Sequence, residues 1–207
     1  MPVRDLRREW KELYAPPADR VVFVDVPGMN ALMVDGEGDP NTSPAYQAAV
    51  EALYGLAYPL KFALKRTGED FVVMPLEVLW WSDDMATFSL QDRARWKWTL
   101  LIVQPPPVTS DHVRTACAEI ARKKGLDLSG VRFEAFAEGE AAQIMHLGPY
   151  AAEAPTIERL HDAIREQGYR RRGKHHEIYL TDPRRTSPDR MRTFLRQPVE
   201  RAGGAGR

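Results

Sequence analysis

An α+β fold built from two copies of one module is what this sequence predicts, and three observations carry the prediction. An apolar run with one embedded glutamate and neighbouring aromatics occurs twice, as FVVMPLEVLWW over residues 71–81 and within KHHEIYLTDPRRTSP over residues 174–188. Each run is preceded by a strand-like stretch, a Gly/Pro turn and a helix-like stretch, the signature of a duplicated unit. Pro105-Pro106-Pro107 lies about midway and reads as the linker between the copies. With 207 residues the chain can bury one good core or two halves sharing one.

Composition narrows the function classes. The 29 basic and 29 acidic side chains balance, which argues against an electrostatic nucleic-acid binder. The single cysteine, Cys117, excludes an internal disulfide framework. No apolar run reaches the ~20 residues of a membrane span, and no signal-peptide core opens the chain. The expectation is a cytoplasmic protein with no direct contact with nucleic acid or membrane.

In chain order, residues 5–14 carry a short charged helical pattern with Leu6, Trp10, Leu13 and Tyr14 on one face, ended by Pro16-Pro17. Too short for a helix-turn-helix, it reads as a packing arm. Two β-like runs, 21–26 and 30–34, flank Pro27-Gly28. The cluster from Gly36 to Pro40 lacks the lysine and glycine spacing of a phosphate loop and reads as a turn. Ser43-Pro44 leads into a helix over 45–65, with Ala49, Leu53, Leu56 and Leu60 at helical spacing and Pro59 expected to kink or divide it. Tyr54 and Tyr58, one turn apart, either line a cavity or face solvent.

The run 71–81 reads as a strand broken by Asp83-Asp84. It resumes over 96–103, with Trp96, Trp98 and Leu100 on one face and Lys97 and Thr99 on the other. Four tryptophans in these two strands suggest an aromatic-lined concavity, with core packing the alternative for each. Thr109-Ser110-Asp111 starts an amphipathic helix over 111–124 that Gly125 ends; Cys117 reads as a buried thiol on its apolar face. Strands over 131–137 and 142–147, the turn Gly148-Pro149-Tyr150 and a helix over 154–167 follow. Arg170, Arg171, Arg172 and Lys174 read as a solvated hairpin turn or an anionic-ligand site, and Asp182-Pro183-Arg184-Arg185 as a turn with local ion pairing. Residues 191–195 read as a short helix and 202–206 as a flexible tail.

Alternation over 175–180 puts His175, Glu177 and Tyr179 on one face and His176, Ile178 and Leu180 on the other. A carboxylate taken out of water is costly unless paired, so Glu177 suits a general acid or base, or a counter-ion for a cationic guest. The alternative is the solvent face of an edge strand. Glu77 occupies the corresponding place in the first run. Metal chemistry through His175, His176 and Glu177 is disfavoured because consecutive strand residues point to opposite faces, so no metal or cofactor is expected.

The combination of PLEVLWW, WKWTLLIVQP, HLGPY and HHEIYLTDPRR resembles stand-alone members of the GyrI-like small-molecule-binding domain family over roughly residues 21–198. The resemblance implies two pseudo-symmetric βαββ-type repeats, with a curved antiparallel sheet around a central ligand cleft and helices outside. It implies an arm over 1–20, repeats at about 21–104 and 108–198 within one domain, and a tail over 199–207. It matches the family's cleft glutamate to Glu177, its other wall to Glu77, Trp80 and Trp81, and its turn tyrosine to Tyr150. Alternation from Glu77 favours Trp81 as the inward tryptophan.

The resulting expectation is a binder of hydrophobic, planar, often cationic or electrophilic molecules. Trp81, Trp98, Tyr54 and Tyr150 stack on the guest, Glu77 and Tyr179 contribute to the site, and Glu177 and Tyr150 carry any hydrolysis of strained cyclopropanoid rings. The alternative is a protein-interaction or sensor module of gyrase-inhibitor type without catalysis.

Overall fold

A computed structural model of the chain describes residues 3–83 and 95–203; the expected break at Asp84 and the end of the expected tail, residues 204–207, lie outside them. In chain order the described elements are α1 (Leu6–Glu9), α2 (Lys11–Tyr14), β1 (Val22–Val26), β2 (Met29–Glu37), α3 (Pro44–Arg66), β3 (Glu77–Trp81), β4 (Lys97–Val103), α4 (Ser110–Lys124), β5 (Arg132–Phe136), β6 (Gly139–Leu147), α5 (Ala154–Glu166), β7 (Tyr169–Arg171), β8 (His175–Tyr179) and β9 (Arg192–Arg201). They form two compact units, Met1–Glu9 with Met29–Phe136 and Trp10–Gly28 with Ala137–Arg207. These spatial units do not follow the order of the chain: α4 and β5 lie in the first, and residues 10–28 in the second.

The first unit holds an antiparallel sheet in the order β5-β2-β4-β3. The second holds β1-β6-β9-β8, with β7 also paired to β9. The chain thus exchanges strands between its copies, because β1 precedes β2 yet pairs with β6, while β5 precedes β6 yet pairs with β2.

Local signals set the helix limits where they were legible. Ser43 caps α3 by accepting from the Tyr46 amide at 3.3 Å, and α3 runs unbroken through Pro59. Thr109 and His112 form a capping box on α4, and Gly125 ends it at φ 62°. Cys117 is half-buried, with burial pushing its thiol pKa up. Three expectations fail. The arm is two single turns separated at Trp10, the strand of 71–81 is regular only from Glu77, and the short helix at 191–195 is the start of the ten-residue β9. β9 also makes residues 199–201 strand, not tail.

The two units repeat with one offset that carries Met29 to Gly139, Glu37 to Leu147 and Pro44 to Ala154. Met33 therefore corresponds to Gln143. Across the first sheet Met33 faces Leu101, which faces Glu77. Across the second, Gln143 faces Arg196, which faces His176. Glu77 thus corresponds to His176, Val78 to Glu177 and Trp80 to Tyr179. The expected pairing of Glu77 with Glu177 is off by one residue, and a one-residue slip exchanges the faces of a sheet.

In the first unit the helix-bearing face holds Trp80 and Trp98, against which Tyr46 of α3 packs at ring-centroid distances of 6.1 and 5.2 Å. In the second it holds Ala142, Ile144, Leu195 and Val199, packed on Ile157, Leu160 and Ile164 of α5. Each such Leu or Ile contributes roughly 1.5–3 kcal/mol of burial.

Candidate functional site

Within the second unit, β8 delivers the expected face. Residues directly opposite on antiparallel strands share a face, so Glu177 stands with Leu195 and Tyr179 with Thr193 on the helix-bearing side. The solvent-face alternative for Glu177 fails, since its residue is only 9% exposed. The Tyr179 hydroxyl donates to Glu177 Oε2 at 2.6 Å, and His175 Nε2 lies 3.5 Å from Glu177 Oε1. One face of β8 therefore bonds one carboxylate oxygen through Tyr179 and sets an imidazole near the other. Among the described residues no cluster of His, Cys, Asp or Glu could hold a metal ion.

Tyr150 joins this group through its ring, 5.2 Å from that of Tyr179. Burial, and then the charges of Glu153, Glu177 and Asp182, raise its pKa far above the usual phenol range, so the group remains a proton donor at neutral pH. Its residue is 37% exposed. His161 of α5 is held down to about 4 by burial, then by the charges of Arg171 and His175, and stays neutral at physiological pH.

The remaining expected site residues belong to the first unit. Glu77 and Trp81 lie on the face of the first sheet opposite α3, where the Lys97 ammonium sits 5.1 Å from the Trp81 ring centroid and pairs with Asp83. The same face carries Thr99 bonded to Asp35 at 2.7 Å and Arg132 bonded to Asp35 at 2.8 Å. The tryptophan on the face corresponding to Tyr179 is Trp80, which is 3% exposed and edge-on to Trp96 at 5.0 Å. Trp98 is core: its ring covers Gly36, where an added Cβ would lie 2.1 Å from Cη2. Tyr54 stacks at 6.1 Å on Tyr58, and Tyr58 at 6.4 Å on Phe62, in a ladder along α3.

A second polar cluster escaped the sequence reading. On the face of the second sheet opposite α5, Glu138 Oε2 accepts from His176 Nδ1 at 2.9 Å and from Arg196 Nη1 at 3.2 Å. Arg196 also donates to Gln143 Oε1 at 3.0 Å and to the Leu13 carbonyl at 2.7 Å, tying down the arm. Burial pushes the Glu138 pKa up, but His176 and Arg196 outweigh it and hold the carboxyl at about 2. Arg172, from the basic run, donates to the Glu138 and Val199 carbonyls, so it serves the fold. The partners of Arg196 lie far away in sequence, and no local pattern announced them.

No helix among the described residues is long and apolar enough to cross a membrane. No curated protein matches the chain. Among solved structures, it is 41% identical to an uncharacterized conserved protein from Listeria innocua, covering 95% of this chain and 100% of that one at a TM-score of 0.90. It is 40% identical to a hydrolase from the same organism, covering 96% and 100% at a TM-score of 0.87. The EcmrR C-terminal domain, 12% identical over 88% of this chain and 98% of that one, shares the fold at a TM-score of 0.53. Residues 20–199 match the GyrI-like small molecule binding domain, and with nearly the whole chain spanned by that match, the protein belongs to the GyrI-like family.

Proposed function

We propose that the protein binds planar, hydrophobic, cationic or electrophilic molecules at the Glu177 face of its second unit and hydrolyses strained cyclopropanoid rings there. The observation that carries this reading is the fixed carboxylate: Tyr179 holds one oxygen of Glu177 and His175 stands by the other, beside a half-exposed phenol raised against ionisation. Similarity to the Listeria hydrolase supports the catalytic half of the proposal.

In the proposed reaction Glu177 takes a proton from water as the water oxygen bonds to a ring carbon. The strained C–C bond breaks, and its electron pair passes into the conjugated carbonyl of the substrate. Tyr150 gives its proton to the oxygen that gains charge. The proton on Glu177 balances the one lost by Tyr150, so the cycle needs no further reactant. General acid-base help of this kind is worth roughly 10²–10⁴ in rate.

The test is tryptophan-fluorescence quenching by planar cationic dyes and a strained-ring electrophile, with mass spectrometry of the same samples for Glu177→Gln and the parent. A water adduct formed by the parent and lost in the variant is expected. Equal adduct formation by both would remove Glu177 from the chemistry. Saturable quenching with no adduct would leave a binder only.

A second reading, a protein-interaction or sensor module without catalysis, draws on the α3 ladder, where Tyr58 is 47% and Phe62 51% exposed. The absence of quenching by every dye would favour it.

A further inference from the structure

We propose that His146 is a positioning residue for Tyr150, a role that rests on the reading of Tyr150 as the proton donor. His146 is the penultimate residue of β6 and is 4% exposed. Its Nδ1 lies 2.9 Å from Thr156 Oγ1 in the first turn of α5, and its Nε2 lies 3.2 Å from the Pro149 carbonyl oxygen. A carbonyl only accepts, so Nε2 donates to it, while Nδ1 shares a hydrogen bond with the threonine hydroxyl. Both ring nitrogens thus have partners.

The bond to Pro149 falls on the peptide that leads directly into Tyr150. The same carbonyl accepts from the Ala152 amide at 2.8 Å, closing the 3-10 turn over Tyr150–Ala152. Upstream, Gly148 stands at φ 129° and donates its amide to the Met191 carbonyl at 3.0 Å. A Cβ on Gly148 would come within 3.4 Å of His146 Nε2, so imidazole and turn are in close contact. His146 thus clamps strand, turn and helix start around the residue whose hydroxyl must be aimed.

The fold does not itself demand an imidazole here. The repeat offset places Gly36 at the corresponding position of the first unit, where a tryptophan ring covers the backbone. The histidine therefore belongs to what differs between the copies, as does Tyr150, whose counterpart in the first unit is Pro40, a residue with no hydroxyl to aim.

The test compares His146→Phe and His146→Gln, each alone and combined with Tyr150→Phe, with a spirocyclopropyl cyclohexadienone as the electrophile. His146→Phe should lower kcat by about 10- to 100-fold with KM within about twofold, the signature of a misaimed catalytic group. His146→Gln, which can both donate to the carbonyl and accept from the hydroxyl, should recover kcat to within about threefold. In the Tyr150→Phe background, His146→Phe should add less than about twofold, because both changes remove one function.

Equal losses in both backgrounds would overturn the proposal, as would a folded His146→Gln variant with no recovery. If Tyr150→Phe alone leaves kcat unchanged, or no turnover occurs, it is the donor reading that fails. Positioning is then read from the 19F resonance of 3-fluorotyrosine at position 150. A shifted or broadened resonance in His146→Phe, restored in His146→Gln, supports the clamp, and an unchanged resonance overturns it.

Discussion

Replacing Glu138 by Gln removes the charge that His176 and Arg196 share while keeping the size of the side chain. The carboxyl is held at about 2 against an ordinary 4.5, both groups being buried. At about 1.4 kcal/mol per unit this difference corresponds to about 3 kcal/mol of stability at neutral pH. Breaking buried pairs elsewhere costs about 3–5 kcal/mol, and Arg196 keeps its bonds to Gln143 and Leu13, so the lower end is expected. With a urea slope of about 2 kcal/mol per molar, the unfolding midpoint should fall by about 1.5 M.

The pH dependence supplies a second constraint. A depressed carboxylate pKa contributes stability fully above its unfolded value and loses it as pH falls toward the folded one. The deficit of Glu138→Gln relative to the parent should therefore be constant above about pH 5 and fall by about half by pH 3. Urea titrations of both proteins at pH 7, 5 and 3 decide it. A deficit below about 1 kcal/mol at pH 7, or one that does not shrink between pH 5 and 3, would refute the account of the cluster.

Gly36→Ala should destabilise the protein by at least about 2 kcal/mol in thermal unfolding, because its methyl would meet the Trp98 ring at 2.1 Å; a neutral result would mean that the ring can move aside. Tyr179→Phe removes a hydrogen bond to a charged group and should lower turnover by about 10- to 100-fold while the far-UV circular dichroism spectrum stays unchanged. Unaltered kinetics would show that Glu177 needs no such support. Because burial and nearby acids keep Tyr150 protonated, the rate should show no fall from phenol ionisation up to about pH 10; an alkaline limb near pH 8 that vanishes in Tyr150→Phe would contradict this.

The sequence was most readable where the determinants are local. Thr109 and Gly125 announced the limits of α4 because caps act within one turn. The face shared by His175, Glu177 and Tyr179 followed from alternation alone. β9 was hidden because Arg196 and Gln197 occupy buried strand positions and Pro198 interrupts the propensity. The charge of Arg196 is met by Glu138 and the arm carbonyl, and neither contact is visible in a window of neighbouring residues. The slip between Glu77 and Glu177 arose because two similar strings were aligned by their glutamates, whereas cross-strand partners fix the register. By that register Trp80, and not Trp81, corresponds to Tyr179.

The exchange of β1 and β5 between the units constrains how the chain can be made and cut. A fragment ending at the prolines carries β2, β3 and β4 but lacks the edge strand β5, and the complementary fragment lacks both β1 and the Leu13 carbonyl that Arg196 binds. Neither fragment can complete its sheet alone. During synthesis β1 must wait for β6, on the order of a hundred residues later, before it finds its partner. Two separately expressed fragments should stay incomplete until mixed and then assemble by restoring the exchanged strands, which would make cleavage near Pro106 a route to conditional complementation.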